Sequence, residues 1–74
     1  MEVKTIGVIG AGTMGRGIAY AVAVGGYRTI LEDVMPETLA KGMAWIKQSL
    51  DEGVQRGKLE AAARDAALAR IETS

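Results

Sequence analysis

Gly10-Ala11-Gly12-Thr13-Met14-Gly15 is a Gly-x-Gly-x-x-Gly turn, a spacing that lets a backbone cradle phosphate groups. Each glycine has its own task. Gly10 permits the tight turn out of a strand, Gly12 lets the backbone approach a pyrophosphate, and Gly15 lets the next helix pack close to the strand. The free N–H groups around Thr13 and Met14 then point at the phosphates from the positive end of a helix dipole. Asp33 follows Gly15 at about the ~20-residue spacing of a carboxylate that accepts hydrogen bonds from a ribose 2′-hydroxyl. This is the chemistry of a dinucleotide site.

The neighbouring segments supply the elements such a site needs. Thr5-Ile6-Gly7-Val8-Ile9 is an apolar run that reads as a buried parallel strand. Met14 to Val24 is apolar nearly all round and reads as a buried helix. Arg28-Thr29-Ile30-Leu31-Glu32 reads as a second strand, with Asp33 at its end. A glycine string alone marks only a tight turn; strand, turn, helix, strand and acid in this order make it a dinucleotide fingerprint. Asp33 favours NAD over NADP, because a carboxylate repels a 2′-phosphate and no Arg or Lys follows at Val34, Met35 or Pro36. Glu32 is a competing acid and would suit FAD. Successive strand residues face opposite ways, so only one of the two acids faces the cofactor, and spacing does not say which.

Composition narrows the function classes. The chain has 74 residues, zero formal net charge, no cysteine and no histidine. Without a basic stripe, a nucleic-acid partner is not expected. Disulfide and thiolate chemistry are excluded, and the commonest general base is missing. Ile18 to Val24 is apolar but too short to cross a membrane, and the first strand begins too early to leave room for a signal peptide. A cytoplasmic location is the default expectation. Such a length falls short of the two βαβαβ halves of a doubly wound domain. The chain therefore reads as the front part of a larger protein, with an unpaired edge on its first strand.

The second half changes character. Pro36 and Glu37 suit the first turn of a helix. Leu39, Met43, Ile46, Leu50 and Val54 form one apolar stripe, and Gly57 marks the turn that ends it. Leu59 to Ile71 reads as a second, alanine-rich helix whose small side chains suit close helix packing. Ile71-Glu72-Thr73-Ser74 leads towards a third strand. The expected fold is α/β: a partial Rossmann unit with a βαβ start and parallel strands, followed by an antiparallel helical hairpin. Residues 1–74 form the amino-terminal portion of that domain, with strand-helix-strand over 1–34 and the hairpin over 35–71.

The whole chain resembles the amino-terminal part of the 3-hydroxyacyl-CoA dehydrogenases, especially the bacterial 3-hydroxybutyryl-CoA dehydrogenases. The segments that carry the resemblance are Ile6 to Gly15, Gly17-Ile-Ala19, Thr29 to Asp33, Ser49-Leu50, Arg56-Gly-Lys-Leu59 and Ala66 to Ile71. The glycine turn is shared by many dehydrogenases; the Ser-Leu pair and the Arg-Gly-Lys-Leu turn are far more specific. The resemblance implies NAD-dependent conversion of a 3-hydroxyacyl-CoA to the 3-ketoacyl-CoA in fatty-acid or butanoate metabolism. It matches Gly10, Ala11, Gly12, Thr13, Met14 and Gly15 to the pyrophosphate turn and Asp33, rather than Glu32, to the ribose acid. It also implies a homo-oligomer, a dimer in the full-length protein.

By the same resemblance, Ser49 matches a serine that contacts the CoA moiety, and Arg56 stands where the family usually has a CoA-binding lysine. Both lie on one helix face, two turns or about 10 Å apart, which suits a long phosphate-bearing ligand. Without the resemblance, that face reads as a solvated flank. Trp45 shares it and either stacks on an adenine or covers the partner helix or a subunit contact. Arg16 touches the pyrophosphate or turns to solvent. Met35 departs from the Ser or Thr the family often uses as helix cap. The family's catalytic His–Glu pair, Ser and Asn match nothing in these residues, so no catalytic residue is assigned. Two other classes compete: a non-catalytic NAD-sensing or structural module, and a flavoprotein that uses Glu32.

Overall fold

The computed structural model describes residues 5–74. Expectations about the residues before Thr5 lie outside the described residues. Strand β1 (Thr5–Ile9) leads into helix α1 (Thr13–Val24), and strand β2 (Arg28–Glu32) into helices α2 (Pro36–Gln55) and α3 (Ala61–Ala69) and strand β3 (Ile71–Thr73). The three strands form one parallel sheet in the order β1-β2-β3. Both crossovers step the same way, and right-handed crossovers of that kind place their helices on one face.

Alternation along the strands divides the sheet. Ile6 pairs with Thr29 and Val8 with Leu31, and Thr29 pairs onward with Ile71. This set faces the helices. It joins Ala19, Ala23, Ile46, Leu50 and Ala67 in the core. Leu31, Ile46 and Leu50 are fully buried, which is worth roughly 1.5–3 kcal/mol apiece. The opposite face carries exposed Gly7 and Ile9 and half-buried Ile30. An exposed Arg28–Glu72 ion pair also lies there, and a pair that open to water contributes about 0–1 kcal/mol.

Helix α1 is amphipathic in its burial rather than buried all round. Only Ala19 and Ala23 are buried, while Met14, Ile18 and Val24 are exposed. The helix meets β1, β2, α2 and α3, and its remaining side faces outward. Among the described residues β1 pairs with β2 alone, so one edge of β1 is unpaired, as expected.

In α2 the expected stripe holds from Leu39 to Leu50, while Val54 is only half-buried. Ile46 and Leu50 are buried, and Leu39 and Met43 pack against the core. The helix ends where expected. Gly57 takes a positive φ of 71°, which an L side chain rarely adopts, and its N–H donates to the Val54 carbonyl at 3.1 Å.

Helix α3 is shorter than the Leu59–Ile71 span expected. Glu60 is still extended, so the first helical residue is Ala61. At the far end Ile71 already belongs to β3, because Ile71 pairs with Thr29 and the Arg70 carbonyl accepts the Thr29 N–H at 2.7 Å. Sheet pairing overrides the helical preference of the preceding alanines. The alanine packing is also corrected: of Ala61, Ala62, Ala63, Ala66, Ala67 and Ala69, only Ala67 is buried. The turn between the two helices folds back where Leu59 approaches Gly53, and the helices themselves are joined where Arg64 pairs with Asp51 at 3.4 Å. Arg70 ties the end of α1 to this layer, donating from a guanidinium nitrogen to the Ala23 carbonyl at 3.0 Å.

Candidate dinucleotide-binding site

The glycine turn joins β1 to α1 at the carboxyl end of the sheet. Gly10 adopts φ +96°, which reverses the chain, and its N–H donates to the Glu32 carbonyl at 2.7 Å. Gly15 is fixed by close approach. A Cβ there would stand 1.6 Å from the Gly10 carbonyl oxygen, so no side chain fits. Gly12 is different. A Cβ there would meet no heavy atom of the protein within 4 Å, and its φ of −71° suits any residue. Nothing in the protein's own packing asks for glycine at 12.

The first turn of α1 presents its donors at the same place. Arg16 N–H makes the bond to the Gly12 carbonyl, at 2.9 Å, so the N–H groups of Thr13, Met14 and Gly15 precede the helical ladder. No side chain caps this end. The positive end of the helix dipole is thus open to an anion. An open pocket of about 420 Å³ runs along β1 and this turn, lined by Val8, Ile9, Gly10, Gly12, Met14 and Ile18 among others. These residues fit a dinucleotide.

The structure separates the two acids that spacing left open. Glu32 is exposed, in register with Ile9 on the face of the sheet away from the helices. Asp33 turns back to the glycine turn. Its Oδ2 accepts the Ala11 N–H at 2.8 Å and its Oδ1 accepts the Met35 N–H at 2.8 Å. The Ala11 bond, then the Met35 bond, holds the carboxyl below its ordinary 3.8. Each oxygen keeps lone-pair capacity for a ribose hydroxyl. Met35 does begin α2 without a side-chain cap, as expected. The Asp33 carboxylate partly compensates by taking the Met35 N–H itself.

The remaining candidates are placed as follows. Ser49 is half-buried within α2, and Arg56 is exposed at its C-cap, just past the last helical residue. Arg16 is half-buried. Its guanidinium carbon lies 4.8 Å from the Trp45 ring centroid, and its Nε is buried without a hydrogen-bond partner. Tyr20 meets the same indole edge-on, with ring centroids 6.0 Å apart. Trp45 therefore joins α1 to α2 by cation–π and aromatic contact.

Sequence reasoning missed Gly42. It lies on the buried side of α2, and a Cβ there would stand 2.8 Å from the Ala11 carbonyl oxygen. The available signal was a glycine inside an otherwise good helix, which costs about 1 kcal/mol against alanine and needs a packing reason.

No helix among the described residues is long and apolar enough to cross a membrane, and no group of three or more potential metal ligands occurs among them.

Comparison with known proteins agrees with this geometry. The family described as 3-hydroxyacyl-CoA dehydrogenase, NAD binding domain, matches residues 5–74. A 3-hydroxybutyryl-CoA dehydrogenase of Bradyrhizobium diazoefficiens is 42% identical over 93% of this chain and 24% of its own length. A 3-hydroxyadipyl-CoA dehydrogenase of Escherichia coli is 39% identical over 96% of this chain and 15% of its own. The crystal structure of (S)-3-hydroxybutyryl-CoA dehydrogenase from Ralstonia eutropha superposes with a TM-score of 0.92 at 42% identity, covering 99% of this chain and 26% of that one. The chain thus spans about a quarter or less of the length of these relatives. The partial Rossmann unit, its glycine turn and the helical pair behind it belong to the NAD-binding domain family of the 3-hydroxyacyl-CoA dehydrogenases.

Proposed function

We propose that this chain binds NAD as the opening portion of a dehydrogenase that interconverts 3-hydroxyacyl-CoA and 3-ketoacyl-CoA. The observation that carries the reading is the Asp33 carboxylate, held by the Ala11 and Met35 N–H groups beside the glycine turn. In this reading Gly10, Ala11, Gly12, Thr13, Met14 and Gly15 enclose the pyrophosphate. The N–H groups of the first turn of α1 donate to it, and Asp33 accepts from the adenosine ribose. The Ala11 N–H serves by holding Asp33 rather than by reaching phosphate. Negative charge at Asp33 and the absence of Lys or Arg at Val34, Met35 and Pro36 disfavour a 2′-phosphate, so NAD is preferred over NADP. NAD, when bound, supplies hydride transfer.

The acyl-CoA substrate is carried over from the relatives' names and from the match at Ser49 and Arg56. Arg56 at the exposed C-cap of α2 offers a guanidinium to a CoA phosphate, and half-buried Ser49 offers a hydroxyl from the same helix. These residues contain no histidine and no assigned catalytic group. They bind and orient; the proton transfer of the reaction belongs to other parts of the protein. A homo-oligomer and a cytoplasmic setting complete the reading.

The test is kinetic. In the enzyme that carries this chain, Asp33→Ala raises the KM for NADH at least tenfold, on the basis of one lost charge-assisted contact, and leaves the KM for acetoacetyl-CoA within about twofold. Unchanged NADH kinetics would remove Asp33 from the cofactor site.

A further inference from the structure

Helix α2 does more than cover the core. Its Gly42 lies against the peptide of Ala11, the residue between the first two glycines of the turn. A Cβ on Gly42 would stand 2.8 Å from the Ala11 carbonyl oxygen and 3.1 Å from the Ala11 Cβ. The nearer obstacle is backbone, which cannot swing aside as a flexible side chain would. Ala11 itself is buried, and its N–H is the donor to Asp33 Oδ2 at 2.8 Å. One residue, through its carbonyl on one side and its N–H on the other, thus joins the bare face of α2 to the carboxylate proposed to hold the ribose.

We propose that Gly42 is a positioning residue for the cofactor: by letting α2 close onto Ala11, it seats the N–H that orients Asp33 for the ribose hydroxyls. The inference rests on the reading of Asp33 as the ribose acid. The indole of Trp45, one turn further along α2, grips the start of α1 through Arg16. The helix therefore contacts both the turn, at Ala11, and the start of α1, at Arg16, and Gly42 sets how near it stands to the turn. An added methyl moves Ala11, by its carbonyl and Cβ, away from α2 by several tenths of an ångström, because a carbon–oxygen contact needs about 3.3 Å or more. The Ala11 N–H moves with it and Asp33 loses its aim. The helix itself gains from the substitution, since alanine is the better helix former. Gly53 in the same helix provides the control. A Cβ there would meet only Leu59, at 3.4 Å, an ordinary contact.

The experiment is a double-mutant cycle on NADH affinity in the enzyme that carries this chain, by calorimetric titration. Gly42→Ala is expected to weaken NADH binding about tenfold, comparable to impairing one hydrogen bond to a charged group. Gly53→Ala is expected to leave it unchanged, and both variants to melt cooperatively. In an Asp33→Ala background, Gly42→Ala is expected to cost nothing further, because its effect passes through Asp33. Losses that multiply instead would overturn the inference, as would a Gly42→Ala protein with the parent's NADH affinity or one that no longer folds. The last result would make Gly42 a core-packing residue. If Asp33→Ala alone leaves NADH affinity unchanged, the ribose reading fails, and the positioning role falls with it.

Discussion

Two glycines of one motif are held by different forces, and two alanine substitutions separate them. At Gly15 the new Cβ would stand 1.6 Å from the Gly10 carbonyl oxygen. An ordinary carbon–oxygen contact is about 3.3–3.6 Å, so α1 and the turn must part by roughly 1.7 Å. Forced overpacking of this kind costs about 3 kcal/mol, and the helix preference of alanine over glycine returns about 1. The net loss is about 2 kcal/mol of stability. At Gly12 the Cβ meets no protein atom and φ is −71°. Alanine caps a helix worse than glycine by about 1 kcal/mol, while it narrows the unfolded chain by roughly 0.4–1, so stability is nearly unchanged. In the proposed site the methyl instead fills the space through which phosphate would approach the backbone. Urea unfolding followed by Trp45 fluorescence, with calorimetric NADH titration beside it, reads both effects. Gly15→Ala is expected to lose stability and Gly12→Ala to lose at least tenfold in NADH affinity at unchanged stability. A Gly12→Ala protein that binds NADH like the parent would refute the division.

Three further outcomes follow from the same geometry. Arg56→Ala in the full enzyme raises the KM for acetoacetyl-CoA up to tenfold at low ionic strength, an exposed charge being worth about 1 kcal/mol or less in water and somewhat more to a phosphate; the KM for NADH stays put, and Arg56→Lys recovers much of the loss. Equal KM values in parent and Arg56→Ala would withdraw α2 from substrate binding. The carboxyl of Asp33 lies below its ordinary 3.8 in the folded chain, through its bonds from the Ala11 and Met35 N–H groups. Its stabilisation is therefore fully present above 3.8 and is lost as pH falls through the lower folded value, so Asp33→Asn shallows the acid limb of a pH–stability curve, while an unaltered limb contradicts it. Finally, residues 1–74 alone, with no histidine, leave NADH unoxidised in the presence of acetoacetyl-CoA; turnover above a matched blank would mean the missing base is supplied from within.

The sequence carried the site further than it carried the packing. The Gly10–Gly15 turn, the flanking strands and Asp33 are local features with fixed spacing, and the structure assembles them as expected. Residue spacing alone left Asp33 and Glu32 open and the resemblance favoured Asp33; that Asp33 is the acid which turns back to the Ala11 N–H is visible only in three dimensions. Gly57 was legible because ending a helix with a positive φ is a local event. Gly42 was not, because its reason lies on a distant loop and in sequence it only weakens a helix. The same holds for the contact of half-buried Arg16 with an indole from another helix. The end of α3 was misplaced because alanine favours a helix locally, while the pairing of Ile71 with Thr29 is a long-range competitor.

Affinity for the two nicotinamide cofactors tests the central claim most directly. Calorimetric titration of the protein with NADH and with NADPH, under identical salt, compares a free ribose 2′-hydroxyl with a 2′-phosphate against the same Asp33 carboxylate. The geometry predicts NADH bound at least tenfold more tightly, since the phosphate would displace a hydrogen bond to a charged group and meet like charge. Replacing Asp33 with alanine narrows that gap, chiefly by weakening NADH. Equal affinity for both cofactors in the unaltered protein would contradict the assignment of Asp33 to the ribose.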